Sequence, residues 1–219
     1  MQTSHVQDVS IPSGDAALEG ILSIPAEARG LIAFAHGSGS SRFSHRNREV
    51  AAALQQAGFA TLLFDLLTAS ENDLDVETGL YRFDIPLLAR RLSGTIDWLA
   101  ALPATATFDL GLFGASTGAG AALIAAAARP ARVRAVVSRG GRPDLAGDAL
   151  LRVQAPTLLI VGEQDTEVIE LNEMAASHLT CEHRTILVPR ATHLFEEPGT
   201  LEEVARLATA WFLIHFAPT

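Results

Sequence analysis

Apolar residues recur along this chain in two rhythms. Short, almost wholly apolar runs at 30–35, 59–66, 108–115, 133–138, 157–162 and 184–189 read as strands buried on both faces. Between them lie longer stretches with apolar residues three or four apart, the period of a helix with one buried face. Segment 44–56 carries Val50, Ala53 and Leu54 in this spacing and stops before Gly58. In 84–102, Asp84 offers an N-cap and Pro86 an early-turn proline, while Leu88, Leu92, Ile96 and Leu99 share one face. Further helices are expected over 119–128, 144–151, 167–178 and 200–216, the last opened by the capping box Thr200-Leu201-Glu202-Glu203. Two runs at 6–11 and 17–24, joined by Pro12-Ser13-Gly14-Asp15, read as an antiparallel hairpin. Segment 68–81 has no apolar period and reads as the longest irregular stretch, a polar loop forming one wall of a site.

Strands alternating with helices imply an α/β fold: a mostly parallel sheet of about eight strands with helices on both faces. In such sheets, ligands bind beyond the carboxyl ends of the strands. A catalytic set should therefore fall just after strands, each member after a different one.

The composition narrows the function. A length of 219 residues suits one α/β domain spanning 1–219. With net charge −9 and a pI near 5.2, neither nucleic acid nor an anionic membrane is an expected partner. All 16 basic residues are arginine, so Schiff-base chemistry, pyridoxal phosphate attachment and a Walker lysine are excluded. Residues 1–8 have no basic start or apolar signal core, and no apolar run reaches the roughly 18–20 residues of a membrane span. The expected setting is cytoplasmic. The single Cys181 permits no internal disulfide and reads as an incidental thiol; His178 and His183 have no matching metal-ligand set, so no metal or cofactor is expected.

The chemistry centres on Gly114-Ala115-Ser116-Thr117-Gly118, set between an apolar strand and an Ala-rich helical run. A serine between glycines at a strand-to-helix turn is the signature of a nucleophile elbow. A serine hydroxyl needs a base, and the base needs an orienting acid. His193 follows the last expected strand and Asp165 the strand at 157–162, giving the order Ser, Asp, His; Glu163 is the rival acid. The oxyanion donors are expected to be the backbone amides of Thr117, after the nucleophile, and Ser38, in the loop His36-Gly37-Ser38-Gly39-Ser40-Ser41-Arg42. That loop scores poorly as a phosphate cradle, and His36 reads as a hydrogen-bonding support beneath it. Arg139, after the sixth strand, is a candidate for binding a substrate carboxylate, with a salt bridge to a loop acid such as Asp144 as the alternative. Arg42 has the same ambiguity.

On these residues (His36-Gly37-x-Gly39, Gly114-x-Ser116-x-Gly118, Asp165 and His193) the chain resembles the small α/β-hydrolases, and among them the dienelactone hydrolase-related esterases. The resemblance runs nearly end to end. It implies hydrolysis of small esters or lactones through an acyl-serine, with no cofactor. Dienelactone hydrolases proper carry a cysteine nucleophile where this chain has Ser116, so ordinary esters fit better than dienelactone itself. Only residues 139–156 separate the sixth and seventh strands, which leaves no room for an inserted lid and favours small or soluble acyl substrates. Acyl transfer, thioester cleavage or small-peptide cleavage would use the same triad, and a binding protein on a hydrolase fold is the reading from another class. The apolar helix ending in Trp211-Phe212-Leu213-Ile214-His215-Phe216 is expected to bury against the sheet or to pair two copies, leaving monomer and homodimer open.

Overall fold

Strand β3 (Leu31–Ala35) shows how the molecule is layered. Leu31, Ala33 and Ala35 join one apolar cluster, Ile32 and Phe34 the other, as the two-residue period of a strand requires. The sheet is thus buried on both faces, which is why its central strands read as continuous apolar runs. The computed structural model describes residues 5–14 and 16–216. Asp15 of the expected turn and residues 1–4 lie outside the described residues.

The eight-stranded sheet runs β1-β2-β4-β3-β5-β6-β7-β8. Strands β1 (His5–Ser13) and β2 (Ala16–Ile24) form the antiparallel hairpin, and β2 joins β4 (Ala60–Phe64) antiparallel. From β4 through β3, β5 (Leu110–Ala115), β6 (Val133–Arg139), β7 (Thr157–Gly162) and β8 (His183–Val188) every pairing is parallel. The register sets Ala35 beside Gly114 and Ala115 beside Arg139, so three strands end level at one edge.

Helices α1 (His45–Gln56) and α6 (Thr200–His215) cover the face built on Phe34, Phe59, Phe113 and Phe212. Helices α3 (Ile85–Ala101), α4 (Thr117–Ala128) and α5 (Thr166–Ala176), with a 3₁₀ segment Pro143–Arg152, cover the other. The local signals act as their chemistry demands. Ser44 accepts from the Asn47 amide at 3.4 Å and Asp84 from the Leu87 amide at 2.9 Å, each satisfying an otherwise orphaned helix donor. Gly58 follows α1 with φ 88°, a conformation that costs a side chain dearly.

Three expectations need correction. Segment 68–81 is no loop: α2 (Ala69–Thr78) occupies most of it, capped by Thr68 with Glu71 in a reciprocal capping box. Its only buried residue is Asp75, so it has no apolar stripe to betray it. The helix is instead anchored by polar bonds. Arg91 holds both oxygens of Glu71 at 2.5 and 2.6 Å, and this bonding draws the Glu71 carboxyl down to about 2. Asp75 accepts from the amides of Tyr81 (2.7 Å) and Arg82 (2.9 Å).

The capping box expected at Thr200 does not form. Gly199, at φ 83°, is the N-cap, and the Thr200 hydroxyl donates to the Glu197 carbonyl at 2.7 Å. The helix expected near 144–151 is a 3₁₀ segment broken at Gly147 (φ 51°).

Candidate active site

Strand β5 delivers Ser116 to the level edge in a conformation few residues adopt, φ 50° and ψ −125°. That strain persists because the turn is tied down on three sides. The Ser116 amide donates to the Arg139 carbonyl at 3.3 Å, and the Ser116 carbonyl accepts from Ala119 and Arg142, both at 3.0 Å. The flanking glycines serve close approach. A Cβ on Gly114 would lie 2.5 Å from the Ala119 Cα, and one on Gly118 would overlap the carbonyl oxygens of Ala35 and His36. Across the gap, a Cβ on Gly37 would stand 2.9 Å from the Ser116 Cβ. The elbow and the 36–42 loop are therefore packed backbone to backbone.

Asp165 occupies the N-cap position of α5 yet caps nothing. Its carboxylate accepts from His193 Nδ1 at 2.6 Å. A carboxylate can only accept here, so Nδ1 carries the proton and the Nε2 lone pair is left free. Side-chain exposures of 38% for His193 and 15% for Asp165 suit a reachable base on a sheltered acid. Glu163 points elsewhere and accepts from the Arg190 amide at 3.0 Å.

The His193 loop is braced by residues that carry no motif. Gln164 donates its amide to the Ala191 carbonyl at 3.0 Å, Glu197 accepts from the Thr192 amide (3.1 Å) and hydroxyl (2.6 Å), and Phe195 is buried at φ 56°. A Cβ on Gly140 would sit 2.9 Å from the His193 carbonyl oxygen. Nothing in the local sequence marks Glu197, Phe195 or Gly140, because their partners come from other segments or from a backbone turn.

Ser116 Oγ and His193 are not hydrogen-bonded to each other among the described residues; such bonds are commonly long in the free enzyme and tighten around substrate. The Thr117 amide is the first of α4 and has no backbone acceptor, nor has the Ser38 amide, among the described residues. Both amides are thus left without a backbone partner, and the positive end of the α4 dipole lies at Thr117.

His36 holds the loop from beneath. Its Nδ1–H donates to the Gly37 carbonyl at 2.9 Å and its Nε2 accepts from the Leu66 amide at 3.0 Å, tying the loop after β3 to the end of β4. Burial pushes the imidazole below its ordinary pKa and keeps it neutral, the form this bonding needs.

The two arginines part company. Arg42 pairs with Asp65, which also accepts the Arg42 amide at 2.6 Å, and its guanidinium lies 4.4 Å from the Phe43 ring centre. Arg139 does not pair with Asp144, whose carboxylate takes Arg142 instead at 2.8 and 2.9 Å. Arg139 is 6% exposed, donates to Asn47 Oδ1 at 3.3 Å and has an unpartnered Nε; desolvation lowers its pKa to about 10. It remains a cation near neutral pH, with no carboxylate on it among the described residues.

Cys181 precedes β8, at the opposite edge of the sheet, and burial raises its thiol pKa. Among the described residues no group of three or more His, Cys, Asp or Glu side chains is placed to hold a metal ion, and no helix is long and apolar enough to cross a membrane.

Comparison with known proteins adds four findings. The model of the dienelactone hydrolase family matches residues 18–213. The crystal structure of a dienelactone hydrolase from Anabaena variabilis is 57% identical, covers 97% of this chain and 98% of its own, and superposes with a TM-score of 0.95. Two Mycobacterium tuberculosis proteins, named as candidate phosphoribosyl transferases, are 56% identical over 209 residues, covering 95% of this chain but 46% of their own length. The chain thus spans about half the length of the curated relatives it matches. A carboxyl esterase from the fungus Tuber melanosporum, 15% identical over 97% of this chain and 88% of its own, shares the fold with a TM-score of 0.77.

Proposed function

Because this chain belongs to the dienelactone hydrolase family, with the α/β-hydrolase fold, we propose that it hydrolyses small carboxylic esters or lactones through an acyl intermediate on Ser116. The observation that carries this reading is the strained elbow of Ser116 at the same sheet edge as the His193–Asp165 pair. Ser116 Oγ attacks the ester carbonyl while His193 Nε2 takes its proton. The amides of Ser38 and Thr117 hold the oxyanion, a contribution of about 3 kcal/mol for a single such donor. His193 then returns the proton to the leaving alcohol as the acyl–oxygen bond breaks. Water, deprotonated by the same nitrogen, frees the acid and restores the serine. Asp165 keeps the imidazole in the tautomer that leaves Nε2 free and stabilises its charged form.

The short connection between β6 and β7, a single 3₁₀ segment, supports small, soluble substrates. Phosphoribosyl transfer is not carried over from the longer relatives. This chain covers 46% of those relatives' length, and its glycine loop is stapled by His36 beside Ser116.

Short p-nitrophenyl esters provide the test. Ser116→Ala is expected to lower kcat about 10⁴-fold or more, and a fluorophosphonate probe is expected to label Ser116 alone. Equal turnover by both proteins would overturn the assignment.

A further inference from the structure

Beyond the oxyanion loop, on the side of β4 and β2 and away from β8, lies a cavity of about 360 Å³. Its walls come from loop residues Ser40, Ser41 and Phe43, from the start of α2 with Asn72 and Asp73, and from Glu19 of β2. A smaller recess shares His36, Ser40, Leu67 and Asn72 with it and is also lined by Ser38, the residue whose amide is the expected oxyanion donor. Its volume falls within the roughly 300–1,000 Å³ typical of ligand pockets.

The chemistry of the lining selects among ligands. Arg42 is the only cation there, and Asp65 neutralises it. Glu19 and Asp73 have no ion-pair partner among the described residues, so an anionic ligand would be repelled. The side chains of Ser40, Asn72, Asp73 and Glu19 make no hydrogen bond within the described chain, and Phe43 remains 57% exposed beside them. Carboxylates that accept, hydroxyl and amide groups that donate and accept, and the apolar faces of Phe43, Leu67 and Ala69 together suit a neutral molecule dense in hydroxyls with an apolar C–H side.

We propose that this cavity is the leaving-group subsite and that the leaving alcohol is a neutral polyol, a sugar or glycerol-like molecule esterified at one hydroxyl. The proposal rests on the ester-hydrolase reading above. In the acylation step the acyl carbon bonds to Ser116 Oγ, its bond to the polyol oxygen breaks, and the proton from His193 goes to that oxygen. Water then releases the acid.

The test compares two acetates with one acyl group, methyl 6-O-acetyl-glucopyranoside and ethyl acetate, followed by acetate release. The wild-type enzyme is expected to favour the sugar ester at least tenfold in kcat/KM. In the double variant Asn72→Leu, Asp73→Leu, which alters two exposed positions, that preference is expected to collapse toward one. No preference in wild type, or the same preference in the variant, overturns the proposal. If neither acetate nor a phenyl ester is turned over, the ester reading fails by itself. The subsite is then decided by titrating the sugar acetate into the Ser116→Ala protein. Millimolar or tighter binding that the double variant weakens at least tenfold supports the subsite; no binding overturns it.

Discussion

His36 shows how much a single side chain can depend on its surroundings. Its sequence context, a histidine before a glycine loop, already marks it as a support. Only the fold shows that it accepts from the Leu66 amide 30 residues away, a bond that the protonated ring would lose. Its pKa is lowered by burial, so the unfolded chain binds the proton more readily than the folded one. Stability from this group is therefore present above the unfolded pKa, about 6.5, and is lost as pH falls below it toward the lower folded value. Urea unfolding between pH 7.5 and 5 is expected to show stability falling with pH in wild type and a shallower fall in His36→Asn; parallel profiles would contradict this origin. The same contrast holds for the acidic groups. Asp165 was legible as one of two acids after a strand, but its choice of His193, and the use of Glu163 on the Arg190 amide, depends on backbone positions far off in sequence. The Asp144 partner expected for Arg139 belongs to Arg142, two residues from Asp144, for which proximity decides.

Elements were legible where they bury an apolar face and hidden where they do not. Helix α3 announces itself through Leu88, Leu92, Ile96 and Leu99, all buried. Helix α2 buries only Asp75 and is held by Arg82 and Arg91, partners that no periodicity reveals. The glycines give a matched prediction. In α3, a Cβ on Gly94 would meet nothing within 4 Å, so Gly94→Ala is expected to stabilise by about 0.5–1 kcal/mol through lost chain entropy. In α4, the same change at Gly118 drives a methyl into the carbonyls of Ala35 and His36. Gly118→Ala is expected to cost about 1–3 kcal/mol and, by displacing the loop that carries Ser38, to lower kcat about tenfold or more. Urea midpoints and ester turnover check both; a stable, fully active Gly118→Ala protein would refute the close approach.

At the scale of the whole molecule, the two apolar layers share one sheet, and we propose that residues 1–219 unfold as one domain. The tryptophans report on opposite faces, Trp98 of α3 with one cluster and Trp211 of α6 with the other. The single-tryptophan variants Trp98→Phe and Trp211→Phe are expected to give urea transitions of the same midpoint and slope, once each is compared with its own circular dichroism transition. A fluorescence change that precedes loss of helix on one face would show separable units.

By itself the sequence determined the alternation of strands and helices, the doubly buried sheet, the elbow around Ser116 and the order in which an acid and a histidine follow later strands. These are local matters, written in periodicity, in turn residues and in short motifs. Tertiary structure alone decided that Ala35, Gly114 and Ala115 end level, that His193 meets Asp165, that α2 is a helix, and that a cavity walled by Ser40, Phe43 and Asn72 adjoins the 36–42 loop. Each of these joins residues from separate strands or loops. Their meeting is set by sheet register and by paired polar groups, which leave no periodic trace along the chain.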